Sequence, residues 1–172
     1  NQVKNKIVAF PGGANFRWKM INFGYVEIKG LDVKVQSDWK FNEEFFLQAR
    51  ATYTYQEAQD LTSPESPYYG AQLPYTPWHS GSMILNSIWK SWGFNYSFVY
   101  TGDRYEAAAE IPENYVPRWY THDLGLTKSF SLYGKSMRMS AEVNNLLNQQ
   151  FEVVESYPMP GTNYRFTLNI KL

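Results

Sequence analysis

Phe45-Phe46-Leu47-Gln48-Ala49-Arg50-Ala51-Thr52-Tyr53-Thr54-Tyr55-Gln56 is the stretch that decides the fold. Its odd positions carry Phe45, Leu47, Ala49, Ala51, Tyr53 and Tyr55, and its even positions Phe46, Gln48, Arg50, Thr52, Thr54 and Gln56. Successive strand side chains point to opposite sides, so this segment is a ribbon with one apolar and one polar surface. The split recurs in both directions along the chain. Leu31, Val33, Val35 and Trp39 oppose Asp32, Lys34, Gln36, Asp38 and Lys40, while Phe94, Tyr96, Phe98 and Tyr100 oppose Asn95, Ser97, Val99 and Thr101. Met137, Met139, Ala141 and Val143 oppose Ser136, Arg138, Ser140, Glu142 and Asn144. Tyr164, Phe166, Leu168, Ile170 and Leu172 oppose Asn163, Arg165, Thr167, Asn169 and Lys171. Residues 2–9, 78–90 and 118–130 alternate less cleanly, which makes eight candidate strands and no amphipathic helix.

The connections alternate in length. Phe41-Asn42-Glu43-Glu44, Lys90-Ser91-Trp92-Gly93 and Ser131-Leu132-Tyr133-Gly134 are of hairpin size, with Asn or Gly where tight turns need them. Residues 10–21, 57–77, 105–117 and 147–162 form longer loops and hold most of the prolines. In an up-and-down antiparallel sheet this puts every tight turn at one end and every long loop at the other. Strands of about ten residues, where soluble strands cluster at ~5–6, and apolar faces ending in aromatics describe an all-β transmembrane barrel. In hydrocarbon every backbone N–H and C=O needs an internal partner, so a spanning sheet has to close and turn its polar face to a lumen. Arg50, Arg138, Glu142 and Arg165 are then expected to face that lumen and whatever fills it.

Composition narrows the remaining classes. The 172 residues suggest one domain, and 16 Lys+Arg against 16 Asp+Glu leave no basic excess for nucleic acid. No run approaches the ~18 apolar residues of a spanning helix. Aromatics reach 18%, and the absence of cysteine removes disulfides, thiolate metal sites and thiol nucleophiles. Asn1-Gln2-Val3-Lys4-Asn5-Lys6 is polar and strand-like rather than a secretion signal.

Four ordered stretches resemble the C-terminal barrel of TonB-dependent outer-membrane receptors. Asn22-Phe23-Gly24-Tyr25-Val26-Glu27-Ile28-Lys29-Gly30-Leu31-Asp32 is similar to the family's N-x-G-x-x-x-x-x-G-[LVF]-[DE] strand, and Leu73-Pro74-Tyr75-Thr76-Pro77-Trp78-His79 to its [LM]-P-x-x-P-x-H segment. Glu142-Val143-Asn144-Asn145-Leu146-Leu147-Asn148-Gln149-Gln150-Phe151-Glu152 looks like V-x-N-L-F-[ND]-x-x-Y, and Tyr157-Pro158-Met159-Pro160-Gly161-Thr162-Asn163-Tyr164-Arg165-Phe166 follows like P-G-R-x-[YF] before the last strand. The resemblance implies localisation in a bacterial outer membrane, long loops facing outside, and energised uptake of a siderophore, haem, cobalamin or glycan. It also implies contact with membrane lipid, and partnership with TonB through an N-terminal box and with a plug inside a ~22-stranded barrel. Residues 1–172 are therefore expected to be a C-terminal barrel segment, without the plug and the box. Leu172 departs from the family's usual terminal aromatic. Two readings of the residues stand beside this one: a complete small eight-stranded barrel with a structural or adhesive role, and a soluble sugar-binding β-sandwich.

No catalytic constellation emerges, so an enzyme is not expected. Ser87-Ile88-Trp89-Lys90 matches S-x-x-K at a turn without its companion motifs. His79 and His122 lie on different strands with no metal-ligand spacing, and His122 beside Asp123 reads as a polar lumen or rim pair. Neither a metal nor a cofactor is expected. The long loops are the better place for ligand contacts: Tyr68, Tyr69, Tyr75, Tyr105 and Tyr157 offer stacking with a polar edge, with Tyr115 and Trp119 beside them. Arg104 and Arg118 flank one loop and suit an anionic ligand or lipopolysaccharide phosphates.

Overall fold

In the computed structural model, residues 2–12 and 17–171 are described; Leu172 and residues 13–16 of the first expected loop lie outside them. The strands are β1 (Gln2–Gly12), β2 (Arg17–Lys40), β3 (Phe45–Asp60), β4 (His79–Trp89), β5 (Trp92–Thr101), the short β6 (Arg104–Tyr105) and β7 (Tyr115–Val116), β8 (Trp119–Leu132), β9 (Lys135–Asn144), the short β10 (Glu152–Val154) and β11 (Tyr157–Pro158), and β12 (Asn163–Lys171). Eight of them form one antiparallel sheet in the order β1-β2-β3-β4-β5-β8-β9-β12. The short strands pair off as β6–β7 and β10–β11 within the long loops. Each main strand thus lies beside its neighbour in sequence, as the alternating loop lengths predict.

The register carries the two-faced pattern across the whole sheet. One row runs Asp38, Gln48, Asn86, Asn95, Gly125, Glu142, Arg165, each directly opposite the next. Within it Asn95 donates to Asn86 at 2.6 Å, Asn86 to Gln48 at 3.3 Å, and Arg165 Nε to Glu142 Oε2 at 2.8 Å. Gly125 occupies the middle of the row, where a Cβ would make ordinary contacts with the Asn95 Cβ at 3.5 Å and the Glu142 Cγ at 3.6 Å. Toward the loop end the polar rows continue through Thr52–Ser82 at 2.8 Å and Thr54–Asp32 at 2.6 Å. This face is concave: Asn86, Asn95, Asp123, Arg138, Glu142 and Arg165 help line a trough of about 470 Å³.

The other face is apolar, and no element packs on it among the described residues. Its rows read Trp39-Leu47-Ser87-Phe94-Leu126-Ala141-Phe166 and, one step toward the loops, Ser37-Ala49-Leu85-Tyr96-Leu124-Val143-Tyr164. Phe166 and Tyr164 are 78% and 68% exposed, and Leu31, Val33, Val35, Leu168 and Ile170 are exposed as well. A soluble sandwich would cover this surface with a second sheet. A closed small barrel would pair β1 with β12, whereas these two strands end the order. Among the described residues the sheet is therefore open and single, an arrangement that neither alternative reading of the sequence predicts. Aromatics gather at the two margins of the apolar face: Trp89, Trp92 and Phe45 toward the tight turns, Tyr53, Tyr55, Tyr100 and Tyr120 toward the loops. The Lys128 ammonium, also on this face, reaches the turn margin, donating to Ser91 Oγ at 2.6 Å and lying 4.3 Å from the Trp92 ring centroid. Such snorkelling keeps its charge at an interface.

Several boundaries differ from the sequence reading. The tight turns hold fewer residues: only Lys90-Ser91 and Tyr133-Gly134 lie between strands, with Lys90, Tyr133 and Gly134 at positive φ (55°, 51° and 75°) as two-residue hairpins of the primed type require. Asn42 organises the first turn by accepting from the amides of Glu44 and Phe45, both at 2.8 Å. The first loop was expected at 10–21, yet strand pairing continues to Gly12↔Arg17. Because β2 meets β3 only from Val26 on, residues 17–25 extend ~30 Å beyond the end of β3 with β1 as their partner. His122 and Asp123 do not form a lumen pair. As adjacent strand residues they point to opposite faces, and His122 sits on the apolar one, its Nδ1 2.7 Å from the Tyr96 hydroxyl.

The orientation is open to a direct check. Leu124→Arg, halfway along the apolar face, is expected to destabilise the protein reconstituted in lipid bilayers by ~2–4 kcal/mol. Thr127→Arg, which lines the trough, is expected to change stability by about 1 kcal/mol or less. Urea unfolding of the two reconstituted variants measures the difference, and equal losses would reverse the assignment of faces.

Candidate binding site at the loop end

Where the strands stop, their backbone ladders end and the freed groups need partners. Each of the three long loops beyond β3, β5 and β9 answers with one buried polar side chain. In residues 61–78 it is Gln72, which accepts from the Ala58 amide at 2.7 Å and donates to the carbonyls of Gln56 at 3.0 Å and Thr76 at 3.3 Å. This holds the loop along the upper edge of β3 over a small core of Phe23, Val26, Ala58 and Leu73. In residues 145–162 it is Asn145, at φ 50°, which donates to the carbonyls of Gln149 at 2.9 Å and Pro160 at 3.2 Å and accepts from the Gln149 amide at 2.9 Å. Its own amide donates to Asp123 at 2.8 Å, and its carbonyl accepts from Thr162 at 2.7 Å. The Asn-Leu-Leu-Asn segment singled out by its resemblance is therefore a turn hub.

The third is Arg104, only 3% exposed. Its guanidinium donates to the carbonyls of Glu152 at 2.9 Å and Val153 at 2.8 Å, with longer contacts to those of Gly102 and Pro117 at 3.5 Å. The expectation of an anion-binding Arg104 is corrected here: its donors are spent on backbone carbonyls, and its work is to clamp residues 102–118 to residues 152–153. Arg118 keeps an exposed side chain, while its amide donates to Asp103 at 2.9 Å. Asp103 also accepts from the Tyr115 hydroxyl at 2.5 Å, a bond that lowers the Asp103 pKa and raises that of Tyr115.

The clamped loops enclose a pocket of about 400 Å³ lined by Tyr115, Pro117, Phe151, Glu152, Glu155 and Pro158 among others. Tyr105 packs edge-on against Tyr115 at 5.8 Å, and Trp119 stacks on Phe151 at 4.6 Å. Tyr75 joins from the neighbouring loop: its amide donates to the Tyr105 carbonyl at 2.7 Å and its hydroxyl to Glu106 at 3.2 Å. Burial, together with the nearby Glu106 charge, pushes its pKa up to about 12, although the Glu155 backbone bond pulls the other way. Glu155 is raised by its hydrogen bond with Glu106 and by burial.

Of the expected ligand contacts, Tyr75 and Tyr105 thus belong to the framework around the pocket rather than to its lining. Tyr157 pairs with Val154 in the β10–β11 hairpin beside it, and Tyr68 and Tyr69 stand exposed on a turn outside it. Phe151, Glu152 and Glu155 were missed as pocket residues; the hint was the place of Phe151 and Glu152 at the end of the resemblance segment. On the concave face Arg138, Glu142 and Arg165 share the trough, with Glu142 and Arg165 paired. Arg50 stands opposite Gln36 and Ile84, and neither it nor Arg138 has an acidic partner among the described residues. The same residues hold no group of three or more His, Asp or Glu able to bind a metal.

Arg104→Met is expected to leave four carbonyls without their donor and to loosen residues 102–118 and 150–158 by about 3 kcal/mol. Amide hydrogen exchange of these segments, read against unchanged protection in β4 and β5, checks it.

Comparison with known proteins agrees with this architecture. No curated protein matches the chain. Among solved structures, the ferric preacinetobactin receptor BauA from Acinetobacter baumannii superposes with a TM-score of 0.69 at 13% identity, over 96% of this chain. That overlap is 25% of the receptor, so the chain spans about a quarter of its relative's length. The family model for the TonB-dependent receptor-like β-barrel matches residues 1–146. Eight antiparallel strands with a polar concave face, tight turns at one end and clamped loops at the other are similar to part of such a barrel, and the chain belongs to the TonB-dependent receptor β-barrel family, whose members are receptors and transporters rather than enzymes.

Proposed function

We propose that the chain forms a wall sector and three outer loops of an energised receptor in the bacterial outer membrane, and that its loops take part in capturing a small nutrient. The observation that carries this reading is the clamped pocket at the loop end: an aromatic and carboxylate lining on a framework fixed by Arg104 and Asn145. Preorganised aromatic surface with a few polar groups suits ligand capture. Among siderophores, haem, cobalamin and glycans, the lining favours an uncharged ligand. Glu152 and Glu155 repel anions, and the nearby Arg104 is committed to carbonyls. A glycan or a corrinoid therefore fits better than an anionic ferric chelate. The trough then faces a plug domain, with Arg50 and Arg138 available to its acidic groups. Energy would come from TonB acting on parts of the receptor beyond this chain, and Arg118 faces lipopolysaccharide.

The test is uptake by the full-length receptor in a strain lacking it, under limitation for each nutrient class in turn. Tyr115→Ala and Phe151→Ala are expected to lower uptake of the cognate nutrient about tenfold at limiting concentration, the loss associated with one well-packed aromatic contact. Growth on every class without the receptor, or unchanged uptake in both variants, removes the pocket from the mechanism.

A further inference from the structure

The apolar face is not evenly filled. At its turn end one row reads Phe45-Trp89-Trp92-Lys128, and the next, two residues deeper along each strand, Leu47-Ser87-Phe94-Leu126. Ser87 is the short side chain of the second row, and over it opens a cleft of about 400 Å³ lined by Phe45, Ser87, Trp89, Trp92, Phe94 and Leu126. Trp89, Trp92, Phe94 and Leu126 stand exposed around it.

Two ammonium groups lie at the turn end of this cleft, and they differ in state. Lys90 is paired with Glu44 at 3.2 Å. Lys128 has no acidic partner among the described residues. Its Nζ is held 4.3 Å from the Trp92 ring centroid and gives one of its three donors to Ser91 Oγ at 2.6 Å. An uncompensated charge fixed at the mouth of an aromatic cleft calls for a molecule with an anionic head and an apolar tail. A second copy of the chain, meeting this face with its own apolar side chains, would leave the charge unanswered.

We propose that the cleft binds an anionic glycerophospholipid, with one acyl chain between Trp89, Phe94 and Leu126, the phosphate on Lys128 and an ester carbonyl on Ser87. The depths agree. Ser87 lies two residues below Trp89, ~7 Å along the strand and roughly 5 Å in depth at the ~35–45° tilt of barrel strands. The interfacial layer on each side of a bilayer's hydrocarbon is itself roughly 5–8 Å thick. A phosphate at Lys128 thus brings the ester carbonyls to the level of Ser87, whose hydroxyl has no hydrogen-bond partner among the described residues. The site rests on the placement of the apolar face in a membrane and is independent of the pocket at the loop end.

The test is photolabelling of the protein reconstituted in phosphatidylcholine bilayers, with peptide mapping of the labelled residues. The probe is a trace of phosphatidylglycerol, or of phosphatidylcholine, with a photoactivatable group in its acyl chain. Labelling of residues 87–94 and Leu126 is expected to favour phosphatidylglycerol about fivefold, the gain of one lysine against an anionic head. Leu85 and Leu124, deeper on the same face, are expected to take both probes equally, and report an inserted sheet in every variant. Lys128→Gln is expected to abolish the preference and Lys128→Arg to keep it. Ser87→Phe, which fills the cleft with the charge intact, is expected to lower phosphatidylglycerol labelling there severalfold. Equal labelling of the cleft by both probes, or a preference that survives Lys128→Gln or Ser87→Phe unchanged, overturns the site. So does a cleft that neither probe labels while Leu85 and Leu124 are labelled, since protein then covers it. Absence of label from Leu85 and Leu124 as well would sink the membrane placement together with the site.

Discussion

A polypeptide in hydrocarbon has no water to satisfy its amides, and nearly every feature of this chain answers to that constraint. The strands meet it sideways, each with its neighbour in sequence, through an unbroken register from Asp38 on β2 to Arg165 on β12. Once the backbone is fixed in this way, alternation leaves side chains no choice of solvent. Leu85, Leu124 and Val143 face one way and Asn86, Asp123 and Glu142 the other, for geometric reasons alone. His122 shows how strict this is. A polar ring falls on the apolar face, and it is accommodated by the Tyr96 hydroxyl and the rings of Phe98 and Tyr120 rather than by turning inward.

Above the sheet the same demand is met by different means. Gln72, Arg104 and Asn145 are the buried polar side chains among the described residues, one in each of the loops beyond β3, β5 and β9, and all bond mainly to backbone. They act as detached pieces of the ladder, supplying amide-like donors where strands have diverged too far to supply their own. A loop built this way needs no large apolar core, and the one present comprises only Phe23, Val26, Ala58 and Leu73 with Val8 and Ile28 against it.

The fold could be read from the sequence because its information is local: a period of two and the spacing of turns determine faces, strand count and order. Strand ends were harder. Trp92-Gly93 looks like turn chemistry, yet Trp92 pairs with Trp89 and Gly93 with Ile88, since a two-residue hairpin closes at Lys90-Ser91. The loop end resisted most. Arginine beside a loop suggests an anion site, and nothing in its neighbours in sequence says that its partners are carbonyls nearly fifty residues away.

The strictly sequential strand order also bears on how such a wall is built. Among the described residues, each strand of the main sheet pairs with the main-sheet strands before and after it along the chain. Closing entropy is therefore met one hairpin at a time, and the turns at Asn42, Lys90 and Tyr133 can nucleate growth independently. Growth always presents a fresh edge: one flank of residues 29–40 and the outer flank of β12 are unpaired among the described residues. Such edges template the next strand, so the wall extends by addition at its margins rather than by collapse around a centre.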